Sequence, residues 1–254
     1  MSRIANTDYG HLVARLAEPE YFDPSNMPTG REYLHSEAEV VFDAMMSIAV
    51  LPITSLPTIA GAAAIRLIDH EHPIFTQARI GYMSKPFTIF KLTTMPGVPE
   101  NTHSNGRYND PRRSQLGRLL SLLRIDESPQ LLNVARREMS IIGPRPLLGS
   151  ILDQARYFVG PKKADEWVKV RSLALPGIFD DFSNQHHGYK LSEDEGELWR
   201  QRIAIEEAYI LEKASFQEDL RIVLATVKLF GTTAIKHSGK LLHGVRSRAR
   251  KAKK

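Results

Sequence analysis

The feature that most constrains the fold is an apolar run without formal charge, from Ala44 to Ile65, with a charged residue on either side. Its length is about what an α-helix needs to cross the hydrocarbon core of a bilayer. Pro52 and Pro57 lie inside the run, and a proline within a helix removes a backbone donor and clashes with the preceding turn. The run therefore predicts a membrane helix that breaks or bends sharply.

Hydroxyl side chains around the two prolines favour a re-entrant hairpin over a simple crossing. A backbone carbonyl freed inside hydrocarbon needs a new partner, and Ser47, Thr54 and Ser55 are placed to provide one. A hairpin would enter and leave on one face of the membrane, with Asp43 and Arg66 near the same headgroup layer. A kinked helix buried in a soluble core is the alternative interpretation.

The distribution of charge argues against a nucleic-acid-binding protein. The net charge is +5, but residues 236–254 hold eight Lys or Arg and no acid, which leaves 26 basic against 29 acidic residues, or −3, elsewhere. A nucleic-acid-binding surface would carry its positive charge across the fold. A basic end beside an apolar helix suits an anionic membrane surface better, and a solvated terminus is the other interpretation.

Two absences narrow the function further. The chain has no cysteine, which excludes disulfide frameworks, thiol catalysis and Cys-ligated metal sites. The first 38 residues are polar and turn-rich and lack the basic start and apolar run of a secretory signal. The N-terminus is therefore expected to stay in the cytoplasm.

The remaining patterns predict a mainly helical α+β domain. Four segments are clear: a hairpin over 74–95 around a Gly81–Pro86 turn, a loop over 96–113, a helix over 115–124, and a helix from Ser128–Pro129 to about Met139. An apolar stripe recurs at helical spacing from Phe216 to Phe230. That stripe could cover a core or lie in a membrane interface.

The segment Arg124–Pro146 carries the most chemistry. Asp126 and Glu127 stand directly before a predicted helix, whose free N–H groups and dipole favour anions. A carboxylate there is expected to stay ionised, as a nucleophile or as a ligand for Mg²⁺, although it could serve only to start the helix. Two prolines flank Arg145, and a guanidinium held stiffly in this way binds phosphate oxygens well.

Further basic side chains come from Arg79, Lys91 and Arg112. Each could be no more than a solvated charge. Together with the carboxylate pair and the proline-containing apolar run, they predict a site for a diphosphate substrate at a bilayer surface.

In this order the segments resemble the bacterial sugar transferase family, the monotopic polyprenyl-phosphate phosphoglycosyl transferases. The resemblance runs from about Val41 to Phe230. Its motifs are FD before the apolar run, QARIG, KPFTIFK followed by TM, NDPR, GRLL, IDESPQLLNV, MSIIGPRP, PGI at Pro176, and EAYILEKASFQEDLRIV. The pair IDESPQLLNV and MSIIGPRP at this spacing is the most specific part.

The resemblance implies a transfer of a phosphosugar through a covalent intermediate. Asp126 would attack the sugar-linked phosphate of a UDP-sugar and release UMP, and polyprenyl phosphate would then take the phosphosugar. Mg²⁺, held by Asp126 and Glu127, and Arg145 would neutralise the developing charge. The expected substrate-binding residues are Arg79, Lys91, Arg112, Gln130 and Arg145.

The chain departs from the family pattern at several positions. These are Thr93 in place of an arginine, Ser121-Leu122-Leu123-Arg124 in place of a basic, Ser-rich run, Ser128 in place of an apolar residue, Phe179–Gln185 in place of a Thr-Gly segment with a Gln, and Glu39-Val40-Val41 in place of Lys-Arg. Arg124 could restore one lost charge. A catalytically silent paralogue, acting as a membrane scaffold or binding polyprenyl phosphate, is the alternative function, whereas the retained Asp126 and Glu127 favour an enzyme.

The expected architecture is therefore α+β and mainly helical, with a re-entrant membrane helix-break-helix, amphipathic interfacial helices and a small β element around the active site. Its parts are a polar N-terminal segment (1–38), a re-entrant hairpin (39–68), a cytoplasmic catalytic domain (69–232) and a basic tail (233–254). The expected partners are a UDP-sugar, polyprenyl phosphate and the lipids of the bacterial inner membrane at its cytoplasmic face, and no nucleic acid. A homo-oligomer is left open.

Overall fold

The computed structural model describes residues 29–98, 110–186 and 194–232. Its α-helices are α1 (Thr29–Leu34), α2 (Glu37–Ala64), α3 (Gln115–Leu122), α4 (Leu131–Ala135), α5 (Gly149–Val159), α6 (Pro161–Arg171), α7 (Asp181–Gln185), α8 (Glu195–Ala208) and α9 (216–232). The strands are β1 (Ile74–Ile80), β2 (Pro86–Leu92), β3 (Ser140–Ile142) and β4 (Gly177–Phe179). The prediction of a mainly helical α+β chain is confirmed. Most of the N-terminal segment, most of the 96–113 loop and the basic tail lie outside the described residues.

The strands form two small sheets that hold the sequence motifs in place. β1 and β2 pair antiparallel from Ile74 opposite Leu92 to Ile80 opposite Pro86, as the hairpin prediction requires. β3 and β4 pair in parallel. Ile80 also exchanges backbone hydrogen bonds with Leu147, which ties the hairpin to the chain directly after the Gly-Pro-Arg-Pro segment.

α2 is one hydrogen-bonded helix that runs through both Pro52 and Pro57, so the predicted break into two helices is absent from it. It continues as a π-helical turn (Ile65–Asp69). The stretch Glu37–Asp69 is long and apolar enough to cross a membrane, and its most apolar 18-residue window has a mean hydropathy of 1.8. Its most apolar window is only 11% buried, which contradicts the alternative of a helix inside a soluble core.

Hydroxyl side chains bond to the backbone of α2 around its prolines. Thr54 Oγ1 donates to the Val50 carbonyl at 3.1 Å and Ser55 Oγ donates to the Pro52 carbonyl at 3.4 Å. Thr58, which was not predicted, donates to the Thr54 carbonyl at 2.6 Å, and Ser47 Oγ has no hydrogen-bond partner among the described residues. The carbonyls that lose a helical donor to the two prolines are those of Ile48 and Ile53, four residues earlier in each case. The predicted bonds from hydroxyls to the freed carbonyls are therefore not among these contacts.

Both ends of α2 are held by the rest of the described chain. Near its start, Asp43 Oδ1 accepts hydrogen bonds from Ser140 Oγ and from the Ile141 N–H, both at 2.8 Å. At the end of the π-helical turn, Asp69 Oδ2 accepts a hydrogen bond from Ser114 Oγ at 2.7 Å. Between these anchors most apolar side chains point outward, and Ile48 and Ile53 are each 73% exposed.

The helix predicted from Ser128 to Met139 is shorter than expected. The dyad lies in a 3-10 helix (Ile125–Gln130), and α4 follows for five residues only. Ser128 Oγ donates to the Ile125 carbonyl at 2.6 Å instead of capping a helix. The helix stops because Arg137 adopts a left-handed conformation with φ of 57°, which turns the chain into β3.

The burial of α9 shows whether the apolar stripe from Phe216 to Phe230 covers the core. Its buried face consists of Asp219, Ile222 and Thr226, whereas the predicted apolar stripe faces mainly outward, with Leu224 60% and Val227 63% exposed. The stripe therefore does not cover the core. It leaves an amphipathic helix with an open apolar face.

Candidate active site

Asp126 and Glu127 stand side by side in the short 3-10 helix, and both are buried. Arg124, directly before it, is left-handed with φ of 58°, so the chain turns sharply into the dyad. Pro129, inside the same 3-10 helix, fixes the backbone on the other side. The local backbone thus places the two carboxyl groups side by side.

Glu127 is the centre of a cluster of positive charge. Lys91 Nζ from β2 donates to its Oε1 at 3.0 Å, Arg145 Nη2 donates to the same oxygen, and Arg124 Nη2 lies 3.1 Å from Oε2. Burial alone would raise the pKa of Glu127, but the charges of Arg124, Arg145 and Lys91 outweigh it and hold that pKa well below its usual range. Glu127 is therefore a fixed anion.

Asp126 has a different environment. Ser121 Oγ donates to its Oδ2 at 2.9 Å, and Arg113 Nη1 lies 3.9 Å from the same oxygen. Oδ1 is buried and accepts no hydrogen bond from any described residue. Burial and the neighbouring charge of Glu127 raise the pKa of Asp126, whereas the start of a helix would lower it.

Four of the five predicted substrate-binding side chains lie around the dyad. Lys91 and Arg145 contact Glu127 directly. Arg79 Nη1 donates to the Pro146 carbonyl at 3.2 Å, and burial together with the charge of Arg145 lowers the pKa of Arg79 to about 10. Gln130 is 2% exposed, and its Nε2 has no hydrogen-bond partner among the described residues.

Arg112, the fifth predicted residue, forms a bidentate ion pair with Asp110, with Nε 2.9 Å and Nη2 2.6 Å from its two carboxylate oxygens. Arg113, the next residue, is the one that reaches Asp126. Sequence reasoning did not select Arg113. The sequence offered only an indirect indication. The basic run that the family carries before the dyad is replaced here by Ser121 and its neighbours, which leaves a place for a cation from another part of the chain.

The backbone carbonyl of Arg145, which lies between two prolines, is bound by one member of a buried ion pair. Arg171 Nη2 on α6 donates to the Arg145 carbonyl, while its Nη1 donates to Glu206 Oε2 on α8. Trp167 Nε1 donates to the same Glu206 oxygen at 2.8 Å. Arg171 and Glu206 were not predicted from the sequence, and they fix the segment that carries Arg145.

The dyad can be tested for its fit to Mg²⁺. Asp126 Oδ1 and Glu127 Oε2 are both buried and accept no hydrogen bond from the described residues, and Mg²⁺ uses one or two carboxylates together with phosphate oxygens and water. The pair fits such an ion, with Arg124 as a competitor at Glu127. No group of three or more His, Asp or Glu that could hold a metal occurs within 29–98, 110–186 and 194–232.

Comparison with known proteins is consistent with this site. Residues 34–232 match the sequence model of a family described as bacterial sugar transferase. The chain is 35% identical over 196 residues to a UDP-glucose:undecaprenyl-phosphate glucose-1-phosphate transferase of Caulobacter vibrioides, covering 77% of this chain and 68% of that protein. An Aeromonas hydrophila UDP-N-acetylgalactosamine-undecaprenyl-phosphate N-acetylgalactosaminephosphotransferase is 29% identical, over 73% of this chain and 42% of its own length.

A third relative is a UDP-glucose:undecaprenyl-phosphate glucose-1-phosphate transferase of Escherichia coli, 31% identical over 73% of this chain and 38% of its own length. This chain thus spans less than half of the Aeromonas and Escherichia proteins. Each of the three matches extends over about three quarters of this chain.

Proposed function

The chain belongs to the bacterial sugar transferase family, and we propose that it transfers a sugar 1-phosphate from a UDP-sugar to a polyprenyl phosphate. The observation that carries the proposal is the contrast within the dyad. Glu127 is neutralised by three cations, whereas Asp126 keeps one buried oxygen without a hydrogen bond from the described residues. An arrangement of this kind supplies both a free nucleophilic oxygen and positive charge for a diphosphate.

In the first step, Asp126 attacks the phosphorus that carries the sugar. A bond forms between the carboxylate oxygen and this phosphorus, the bond to the bridging oxygen breaks, and UMP leaves with that electron pair. In the second step, a phosphate oxygen of the polyprenyl phosphate attacks the same phosphorus and Asp126 leaves as the carboxylate. The covalent intermediate lets a water-soluble donor and a lipid acceptor use one site in turn.

The cations around Glu127 give the site its affinity for phosphate. Lys91, Arg145 and Arg79 come from three different segments and converge on one carboxylate region. In the transition state the charge on the transferred group spreads over its equatorial oxygens, and fixed cations stabilise it there. Mg²⁺, for which Asp126 and Glu127 remain the proposed ligands, would add further charge neutralisation when bound.

We also propose that the protein lies on the cytoplasmic face of the inner membrane, with α2 bending at its prolines so that it enters and leaves on that face. The support is that Asp43 and Asp69, at the two ends of the apolar stretch, both bond to the same folded body. A helix that crossed the bilayer would place one of these polar contacts on the far side. The outward apolar stripe of α9 would lie in the same interface.

The chain has no native cysteine, so single cysteines report the topology cleanly. Glu37 and His70 are exposed and flank the apolar stretch. With Glu37→Cys and His70→Cys in inverted and right-side-out vesicles, we expect a membrane-impermeant maleimide to label both from the same side. Labelling from opposite sides would mean a crossing helix.

The proposed reaction is tested by incubating the full-length protein in detergent with a panel of labelled UDP-sugars and Mg²⁺. The wild-type protein should release UMP and retain the sugar label before any polyprenyl phosphate is added. Asp126→Asn keeps the shape of the side chain but removes the nucleophile, so it should lose label retention. Asp165→Asn, on an exposed pair with Arg156, is the matched control and should retain it.

Two results would contradict this assignment. Label retained by Asp126→Asn would mean that another group is the nucleophile. Wild-type protein that released UMP from no donor in the panel would support the alternative of a membrane scaffold or polyprenyl-phosphate binder.

A further inference from the structure

Arg113 lies next to Asp126 and contacts it through Ser121. Its side chain is 9% exposed. Nη1 donates to Ser121 Oγ and also to Thr94 Oγ1 at 3.3 Å. The distance of 3.9 Å between Arg113 Nη1 and Asp126 Oδ2 is too long for a hydrogen bond. Arg113 thus reaches the carboxylate mainly through the serine.

The direction of these hydrogen bonds follows from their chemistry. A serine hydroxyl has one proton and two lone pairs, and a guanidinium only donates. Ser121 Oγ therefore accepts from Arg113 and gives its own proton to Asp126 Oδ2, at 2.9 Å. A charged donor strengthens the next bond of such a chain.

The arginine itself is placed by the start of α3. Ser114, the next residue, caps α3 by accepting the Gly117 N–H at 2.8 Å, and its hydroxyl donates to Asp69. A Cβ on Gly117 would lie 2.2 Å from the Thr94 carbonyl oxygen, so α3 is packed directly against the end of β2. Arg113 is therefore fixed by backbone contacts on both sides.

We propose that Arg113, acting through Ser121, is the positioning residue that holds Asp126 Oδ2 and so leaves Oδ1 as the oxygen that attacks the donor phosphorus. The inference rests on the proposed function. A carboxylate rotates readily about its last torsion, whose profile is broad and two-fold, so that two unheld oxygens would exchange places. Holding one of them keeps the other in the geometry for attack, and loss of such alignment can cost about 100-fold in rate.

The test measures steady-state UMP release by the full-length protein, with the UDP-sugar that the wild type accepts and with polyprenyl phosphate present to regenerate free Asp126. The variants are Ser121→Ala, Arg113→Gln, Arg113→Lys and the double variant Ser121→Ala/Arg113→Gln. Arg156→Gln, which removes an arginine from a partly exposed ion pair on α5, is the control. Thermal midpoints of all variants separate a loss of folding from a loss of alignment.

We expect Ser121→Ala and Arg113→Gln each to lower kcat by about ten- to 100-fold, with KM for the donor changed less than about twofold. Since both act on one oxygen, the double variant should be no slower than the slower single variant. Arg113→Lys keeps the charge and should recover part of the rate. Arg156→Gln should behave as wild type.

Three outcomes would overturn the inference alone while wild-type protein releases UMP. The first is an unchanged kcat in Ser121→Ala or in both Arg113 variants. The second is a raised donor KM at unchanged kcat, which would make Arg113 a phosphate-binding residue. The third is a loss of rate in the double variant that equals the product of the two single losses. If Arg113→Gln does not fold, Ser121→Ala and Arg113→Lys still decide. Wild-type protein inactive with every donor would instead refute the proposed function, and this inference with it.

Discussion

Replacing Asp219 with asparagine should make the stability of the protein less sensitive to pH. Asp219 lies on the buried face of α9 with 1% exposure, where it accepts hydrogen bonds from Tyr33 at 2.9 Å and from Tyr209 at 2.6 Å. Burial raises the pKa of Asp219 from 3.8 to about 7, despite both tyrosine bonds, and the charges of Asp43 and Glu39 add to this rise. The buried carboxyl group thus prefers to be protonated.

The sign of the effect follows from proton binding. Since the pKa of Asp219 is higher in the folded protein than in the unfolded chain, the folded state holds more protons between these two values, and its stability falls as the pH rises. One pKa unit corresponds to about 1.36 kcal/mol. Between pH 5 and pH 8, the contribution of Asp219 to the free energy of unfolding should fall by about 2.5 kcal/mol.

The assay is the thermal midpoint of the full-length protein in detergent, followed by the fluorescence of Trp167 and Trp199. A change of 1 kcal/mol shifts the midpoint of a domain of this size by roughly 2–4 °C. The wild type should therefore lose roughly 5–10 °C relative to Asp219→Asn between pH 5 and pH 8. Titrating groups that do not interact with Asp219 contribute equally to both proteins, so the difference between them reports Asp219 together with the carboxyl groups of Asp43 and Glu39 that are coupled to it.

The stability of the Asp219→Asn variant at any single pH is not decisive, since the asparagine amide loses one tyrosine bond at every pH. The change in the difference between pH 5 and pH 8 carries the argument. If Asp219→Asn lowered the midpoint equally at both pH values, Asp219 would be ionised throughout, and burial would not dominate its pKa.

Two further substitutions test the packing behind the site. Gly177→Ala would place a Cβ 2.1 Å from the Gly143 nitrogen. We therefore expect the β3–β4 pair to open at a cost of about 1–3 kcal/mol in the free energy of unfolding, which a lower thermal midpoint would show. An unchanged midpoint would mean that the two strands move apart without cost. Glu206→Gln leaves the charge of Arg171 buried without its partner, which costs about 3–5 kcal/mol, and should also raise the donor KM because Arg171 holds the Arg145 carbonyl. A wild-type KM in a folded Glu206→Gln protein would show that Arg145 does not depend on this support.

Local sequence patterns were sufficient for the β1–β2 hairpin and for α3. The hairpin needs only extended segments around a turn, and α3 begins at a serine cap, Ser114, whose hydroxyl accepts the Gly117 N–H. The grouping of Lys91, Glu127 and Arg145 in one site was predicted from their charges and from the family motifs, since no local pattern relates residues so far apart in the chain. Their mutual contacts confirm that the motifs share one site.

Other features depend on contacts that a single sequence does not display. α2 continues through both of its prolines, and beyond them Thr58 Oγ1 lies 2.5 Å from Ser128 Oγ beside the dyad. The short α4 results from the left-handed turn at Arg137, whose guanidinium is bound by Glu39 and Asp43 of α2. Each of these partners is far away in sequence, so the tertiary contact overrides the local helix signal.

The segment after Pro176, one of those that depart from the family pattern, bonds to α9. Asn184 Nδ2 donates to the Ile222 carbonyl at 3.2 Å and to Thr226 Oγ1 at 2.8 Å. These bonds satisfy polar groups on the buried face of α9, which would otherwise be costly to bury.

α9 in turn reaches the active site at its far end. The ring of Phe230 lies 5.1 Å from the Arg124 guanidinium, a cation–π contact, and Arg124 is one of the three cations on Glu127. The segment after Pro176 and the dyad therefore both contact α9, the segment through Asn184 and the dyad through the Arg124 that pairs with Glu127. For this reason we expect the departures in that segment to change how α9 is held more directly than they change the choice of nucleotide or sugar.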